Sequence, residues 1–574
     1  MTMRETLIES NELFIAGGWR QPRGGNRIEV YSASTEELIG SVPEGVEADA
    51  DDAVAAARTA FEDPSGWSSW SRTDRAKALD RLADALVARR EAIARRVSMQ
   101  NGMPIGVSTQ IEGNIPVMVC RYYAELARSH RFSEDREGLL GGVIEVTQKP
   151  VGVVVAIVPW NFPVSLMFGK VAPLLAAGCT AVIKPSPETV LDSLEVAEAI
   201  IEAGIPAGVL NIVPGGRELG AYLVEHPGVD KVAFTGSTAA GRRIAERCGT
   251  LLRPVTLELG GKSAAIILDD ADLTQSLEQL FLATLLNNGQ TCFIGTRVLA
   301  PMSRYEDVLQ TFAGLVGALQ VGDALDPSTQ IGPMVSAVHR DRVQRYIDKG
   351  KAEGATVVVG GGSPEQQRGW FVQPTVFASV DNSATIAREE IFGPVLSVIA
   401  YETVEDALAI ANDSEYGLGG SVWSVNPEGA QKVARRVQTG TVDINHYTFD
   451  PAAQFGGIKG VGGRSRTGAR GPPGLSVDPV DVQDCPCPLW PFVELVGASP
   501  ARCGNQSFVR PPCDRKSPTA QARQRFTVLS IRSVHADDAD ARARAASNRS
   551  RDCSATATAL STSAWSTIRP ALLT

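Results

Sequence analysis

Between residues 151 and 247 four short apolar runs alternate with helical segments, and this alternation constrains the fold more than any other feature of the chain. The runs are 151–158, 181–184, 209–213 and 231–235, with helical periodicity predicted over 191–203, 218–225 and 239–247. Strands that alternate with helices over such a length imply a parallel sheet covered on both faces. Sheets of that kind bind ligands outside the carboxyl ends of their strands. A second alternating region starts near residue 263 and continues to about 445. It has strands expected at 264–268, 356–359 and 395–399, and helices at 305–319 and 336–353. Upstream, residues 75–99 carry apolar residues at helical spacing (Leu79, Leu82, Leu86, Ile93, Val97) without a breaker.

The 574 residues can bury more than one core. A net charge of -10 gives no reason to expect a nucleic-acid partner. No run approaches the roughly 18 apolar residues of a membrane span, and the first 20 residues lack the basic start and apolar run of a secretory leader. A cytoplasmic location without membrane contact is therefore the expectation. Four cysteines (Cys120, Cys179, Cys248, Cys292) are scattered through the first 460 residues with no metal-like spacing, which suits free thiols. The other five lie in the last 90 residues, where Cys485-Pro486-Cys487 is too closely set for zinc and has no histidine nearby, so no metal is expected.

Two segments carry chemistry. Asn287-Asn288-Gly289-Gln290-Thr291-Cys292 presents one cysteine after a Gly-Gln turn, downstream of a helical run at 277–286. A lone cysteine is more often an inert buried thiol than a nucleophile. The second segment, Glu258-Leu259-Gly260-Gly261-Lys262, offers a carboxylate where paired glycines permit close backbone approach. Read alone, it is a surface glutamate at a strand end. Together a thiol and a separate base are what oxidation of an aldehyde through an acyl-enzyme needs. These two segments, with Pro159-Trp160-Asn161-Phe162-Pro163, Phe234-Thr235-Gly236-Ser237, Glu389-Glu390-Ile391-Phe392-Gly393-Pro394 and Phe455-Gly456-Gly457-Ile458-Lys459, resemble the aldehyde dehydrogenase superfamily over about residues 13–459.

The resemblance implies an α/β fold with a Rossmann-type parallel-sheet cofactor domain (1–129 and 152–261), an oligomerisation hairpin (130–151) and a second α/β catalytic domain (262–459). It implies Cys292 as nucleophile, Glu258 as the base that activates water, and Asn161 as an oxyanion donor. Relatives that pass the acyl group to coenzyme A typically lack that glutamate, so Glu258 favours a free carboxylate as product. The cofactor contacts implied are Trp160, Lys184, Gly236, Ser237, Glu390 and Phe392. Many relatives have a glutamate three residues after the ribose-binding lysine; here that position is Pro187, with Glu188 one later. This leaves NAD versus NADP open, and the family's habit favours NAD. Asn445 matches a family position near the site, and Tyr447 and Phe449 line the aldehyde tunnel or an exposed loop. A small-molecule aldehyde is the expected substrate and a homo-oligomer the expected assembly.

After Lys459 the family's pattern gives way. Residues 464–574 are rich in Arg, Ser, Ala and Pro and hold five cysteines, a composition that leans toward disorder. The codons permitted from Gly460 onward, shifted forward by one base, can encode a family-like ending, which implies a frameshift. Loss of that ending would leave an apolar edge uncovered, and an inactive or misassembled cofactor-binding product is the rival reading.

Overall fold

The computed structural model describes residues 7–453 and 455–462. The expected disorder and frameshift of the C-terminal residues lie outside that range, apart from residues 460–462. The first alternating region folds into a seven-stranded sheet. Strands Val255–Glu258, Lys231–Thr235, Val153–Ile157, Thr180–Lys184 and Leu210–Ile212 lie side by side in that order and run parallel. All but the edge strand Val255–Glu258 are buried throughout, which is why they read as unbroken apolar runs and not as alternating ones. Two short N-terminal strands, Leu13–Ile15 and Gly18–Arg20, extend the sheet antiparallel. Runs of three residues are too short to show a period, so these strands leave no signal in the sequence.

The order of these strands sets the position of the ligand crevice. From Val153–Ile157 the chain builds outward to one side through Thr180–Lys184 and Leu210–Ile212. It then crosses to the other side for Lys231–Thr235 and Val255–Glu258. The direction of winding reverses between Val153–Ile157 and Lys231–Thr235, and helices leaving those two strands diverge to leave a crevice at their carboxyl ends. Trp160 follows one strand and Gly236 the other.

The second region forms another seven-stranded sheet. Its order is Thr356–Val359, Thr375–Ala378, Val395–Tyr401, Arg297–Pro301, Ala264–Ile267, Ser421–Trp423 and Asp443–Ile444, parallel except for the first strand. Arg297 is 1% exposed at the start of its strand. It donates to the carbonyls of Lys262 (3.0 Å), Ile410 (2.8 Å) and Ala411 (3.0 Å) and to Asn382 Oδ1 (3.1 Å). One guanidinium thus ties the entry of the central strand Ala264–Ile267 to the end of the helix Val404–Asn412.

The helix Arg72–Asn101 packs against the helices Ile115–Ser129, Asp192–Glu202 and Pro163–Ala177, capped at its start by Ser71 and ended by Gly102 in the left-handed region (φ 78°). A third, three-stranded sheet joins Ile8–Glu9, Leu38–Pro43 and Arg27–Tyr31. Strands Ser133–Glu137 and Val143–Thr147 form a hairpin that pairs with no other described strand, and Leu139 and Leu140 at its tip are fully exposed. Among the described residues, no helix is long and apolar enough to cross a membrane, and no cluster of His, Cys, Asp and Glu is arranged for a metal ion.

Replacing Arg297 by Met would leave buried carbonyls without donors, each costing about 1–3 kcal/mol. Arg297→Met is expected to lower stability to urea by about 3 kcal/mol or more. An unchanged unfolding midpoint would show that the guanidinium does not secure this sheet.

Candidate functional site

The cysteine loop is built on an unusual stretch of backbone. Asn287 (φ 53°), Asn288 (φ 60°) and Gly289 (φ 75°) are consecutive residues in the left-handed region. Asparagine tolerates that region better than most residues, and glycine adopts it freely. Side chains on all sides hold the turn. Asn288 donates to the carbonyls of Gly102 (2.8 Å) and Pro333 (3.0 Å) and accepts from the Gly332 N–H (2.7 Å). Asn287 donates to the Asn161 carbonyl (2.9 Å). Gln290 accepts from the Val335 N–H (3.0 Å), and the Thr291 hydroxyl closes onto the Leu286 carbonyl (2.9 Å). A Cβ on Gly289 would lie 2.2 Å from the Gly393 carbonyl oxygen, so the loop also needs glycine for space. Cys292 emerges half-buried at its end, whereas Cys120, Cys179 and Cys248 are buried.

Glu258 ends the edge strand of the first sheet, in register with Thr235 on the neighbouring strand. The Glu258 carbonyl accepts the Gly236 N–H (3.1 Å), and the next residue, Leu259, donates to the Val461 carbonyl (2.8 Å). Gly456 lies beside the Glu258 carboxylate, where a Cβ would stand 3.4 Å from its Oε1. Gly261 follows so closely under the thiol loop that a Cβ there would stand 2.0 Å from the Cys292 carbonyl oxygen. Gly261 therefore lets the two chemical segments touch, while Gly260 makes room for the Glu390 carboxylate.

Asn161 is 4% exposed. Its Nδ2 donates to the Gln290 carbonyl at 3.0 Å, two residues before the thiol. A carboxamide has two N–H groups, so a second donor is left after that bond. The adjoining carbonyls of Trp160 and Asn161 accept from Asn101 Nδ2 (3.1 and 3.2 Å).

Lys170 is a residue the sequence analysis missed. It lies on the apolar helix Pro163–Ala177, is 6% exposed, and donates to the Thr235 hydroxyl. Burial pushes its amine down, while the charges of Glu258 and Cys292 hold it up. The available signal was the lysine itself, because a cation in an otherwise buried apolar helix requires a partner. Cys292 feels the converse set. Burial and the carboxylates of Glu390 and Glu258 push its thiol well above the ordinary range, and Lys170 pulls it down. These opposing effects place the thiol, both carboxylates and the amine within electrostatic reach of one another.

The remaining sequence-predicted residues flank the crevice. Lys184 ends the strand Thr180–Lys184; its buried amine, pushed down to about 8 by desolvation, donates to the carbonyls of Gly215 (2.6 Å) and Pro185 (3.1 Å). Ser237 is exposed and caps the helix Thr238–Thr250 by accepting the Ala240 N–H. Gly236 precedes it against the Phe234 ring, leaving no room for a Cβ. Glu390 reaches back to the Gly261 N–H (2.8 Å), and burial pushes its carboxyl up to about 7. Phe392, at φ 65°, meets Trp160 edge to face at 5.3 Å, and His339 closes the group by bonding the Phe392 carbonyl (2.7 Å). Asn445 is exposed, with its side chain engaged by Ser424. Tyr447 is buried and stacks on Phe293 at 4.8 Å; Phe455 meets Phe293 at 5.6 Å and Phe449 at 6.0 Å.

Residues 19–471 match the aldehyde dehydrogenase family. The chain belongs to that family. The match runs 12 residues beyond Lys459, where the sequence resemblance was expected to stop. A geranial dehydrogenase of Castellaniella defragrans is 57% identical over 455 residues, which cover 79% of this chain and 95% of that protein. An aldehyde dehydrogenase of Mycobacterium tuberculosis, solved in complex with NAD+, is 45% identical with a TM-score of 0.78, covering 80% of this chain and 94% of that one. A cysteine-to-alanine variant of an aldehyde dehydrogenase from Pseudomonas syringae, solved with NAD+ and octanal, is 38% identical with a TM-score of 0.76; the shares covered are 79% and 92%. The α/β fold expected from the sequence, a Rossmann-type sheet with a second α/β sheet, is the fold these structures share.

The Lys170 charge favours ionisation of the Cys292 thiol, so Lys170→Met is expected to raise the thiol's pKa further. One unit corresponds to about 1.4 kcal/mol and, below the pKa, to about tenfold less thiolate. Alkylation of the peptide carrying Cys292, followed by mass spectrometry at pH 8, should slow by about that factor. An unchanged rate would separate Lys170 from the nucleophile.

Proposed function

We propose that this chain oxidises an aldehyde to a carboxylate with NAD as the acceptor. The observation that carries the reading is the convergence of Cys292, Asn161, Lys170 and Glu258 where the carboxyl ends of the first sheet meet the cysteine loop. The NAD+ complexes of the related structures support the cofactor. The fit rests on this chain's own crevice. Trp160 and Gly236 flank its switch point, Ser237 offers a helix N-terminus suited to a pyrophosphate, and Lys184 presents an amine beside Gly220. Glu390 is poised for a ribose, and Phe392 and Trp160 form an aromatic wall. When bound, the dinucleotide accepts a hydride from the substrate.

The chain's residues account for the rest of the cycle. The Cys292 sulfur attacks the aldehyde carbon as its proton passes to the Glu258 carboxylate, which releases it to solvent before the thioester is hydrolysed. The carbonyl oxygen gains the electron pair and is stabilised by the free N–H of Asn161 and by the backbone N–H of Cys292. After oxidation the acyl group remains on sulfur as a thioester. Glu258 takes a proton from water, the resulting hydroxide adds to the thioester, and the carboxylate leaves as the thiol is restored. A coenzyme A-acylating reaction would have no use for a carboxylate in this position. The aromatic group Phe293, Tyr447, Phe449 and Phe455 supports an apolar aldehyde, as do the geranial and octanal named for the relatives.

Cys292→Ala should abolish turnover while leaving NAD affinity nearly unchanged, because the thiol forms the covalent bond and does not hold the dinucleotide. Glu258→Gln should give a burst of reduced cofactor of about one per active site and then almost no turnover. Steady-state rates equal to the parent's in either variant would reject the corresponding role.

Octanal should be preferred to acetaldehyde in kcat/KM. Phe455→Ala should narrow that preference by about tenfold, the effect of losing about 1.4 kcal/mol of apolar contact. An unaltered ratio would remove Phe455 from the substrate path.

The assembly proposed is a homo-oligomer joined through the hairpin Ser133–Glu137 and Val143–Thr147. Val143 and Ile144 lie on its open strand, and an isolated two-stranded ribbon with exposed apolar residues is marginal in water.

A further inference from the structure

The segment that carries Asn161 is gripped at both ends by residues the proposed chemistry does not use. The helix Pro163–Ala177 begins directly after it, with Phe162 in the capping position, and phenylalanine has no oxygen to offer the free N–H groups. Pro163 has no N–H to satisfy. The next two, those of Val164 and Ser165, are both taken by Glu112 Oε2, at 2.8 and 3.2 Å. Glu112 belongs to a different element, at the end of the helix Ile105–Ile111, and is fully buried. The Ser165 hydroxyl returns a bond to the Ile111 carbonyl (3.2 Å). On the other side of Asn161, Asn101 donates to the carbonyls of Trp160 and Asn161. Residues 101–112 thus form a bracket, with a carboxamide donor on the carbonyl side of the loop and a carboxylate acceptor on the N–H side.

The bracket also reaches the cysteine loop. The Asn101 carbonyl accepts from Gln290 Nε2 (3.3 Å), and the Gly102 carbonyl accepts from Asn288. The same short stretch therefore fixes both the loop that presents the oxyanion donor and the turn that presents the thiol. A carboxylate kept in a fully buried place is expensive, as burial there pushes Glu112 up to about 7. A serine or aspartate at residue 162 would cap the helix locally. A cap supplied from a distance adds something that a local cap cannot: it sets the helix start relative to the bracket.

We propose that Glu112 is a positioning residue for the reaction, holding the Asn161 carboxamide in place for the oxyanion by capping the helix that follows it. This rests on the reading of Asn161 as oxyanion donor. A donor displaced by a fraction of an ångström loses most of its effect on charge that develops in the transition state.

The test is a double-mutant cycle on the full chain, read as the pre-steady-state rate of cofactor reduction with octanal and NAD. Asn161→Ala should slow this rate by about a hundredfold. Glu112→Ala should slow it by about tenfold with NAD affinity unchanged, and the double variant should be no slower than Asn161→Ala alone. Glu112→Gln keeps an acceptor oxygen for both N–H groups and should restore the rate to within about threefold of the parent. Losses that multiply in the double variant would overturn the proposal, and so would a Glu112→Ala rate equal to the parent's. If Glu112→Ala is insoluble, Glu112→Asp, one methylene too short, takes its place in the cycle. Insolubility of both would reduce Glu112 to a folding role and also overturn the proposal. An Asn161→Ala variant as fast as the parent would instead sink the oxyanion assignment itself.

Discussion

The site depends on one turn that the backbone would not form unaided. Asn287, Asn288 and Gly289 occupy the left-handed region in succession, at a cost of order 1–3 kcal/mol for each strained non-glycine residue. That cost is met by fixed partners from separate parts of the chain: Gly102 at the end of one helix, Pro333 and Val335 in the loop that leads into another, and Asn161 at the mouth of the first sheet. The thiol is therefore placed by long-range contacts, and the order of the cysteine loop is inseparable from that of the two sheets it joins.

Electrostatics at the thiol follow from the same convergence. Two carboxylates and one amine lie close to Cys292 in a poorly solvated place, and burial is the largest influence on each group for which a shift is seen. Burial and the carboxylates beside the thiol disfavour the thiolate, and Lys170 acts in the opposite direction.

Much of this was legible in the sequence, for identifiable reasons. Buried parallel strands such as Val153–Ile157 and Lys231–Thr235 appear as unbroken apolar runs, and their boundaries fell within about two residues. The sequence showed a Gly-Gln turn before Cys292, but not the run of positive φ at Asn287 and Asn288, although asparagine tolerates that region. Lys170 and Glu112 were not legible. Each acquires its partner only when the fold brings Thr235, or the helix start at Val164, alongside. The short antiparallel strands at the N-terminus were missed because three residues show no period. Asn445 was flagged on family position and proves exposed, with its side chain committed to Ser424.

The contact between Leu259 and Val461 has a consequence for the order of events during synthesis. Glu258 sits on an edge strand, and the backbone group just beyond it is satisfied by a residue about two hundred positions later. Val461 is fully buried there, and Ile458 and Gly460 bond to Gly417 and Glu415 in the second sheet's territory. Domains assemble from the N-terminus as a chain leaves the ribosome, so the first sheet can form early while its last strand still has an open flank. The surroundings of Glu258 are completed only when the segment around Val461 has been made and folded back. A nascent chain can thus form the crevice of its first sheet before the flank beside Glu258 is closed.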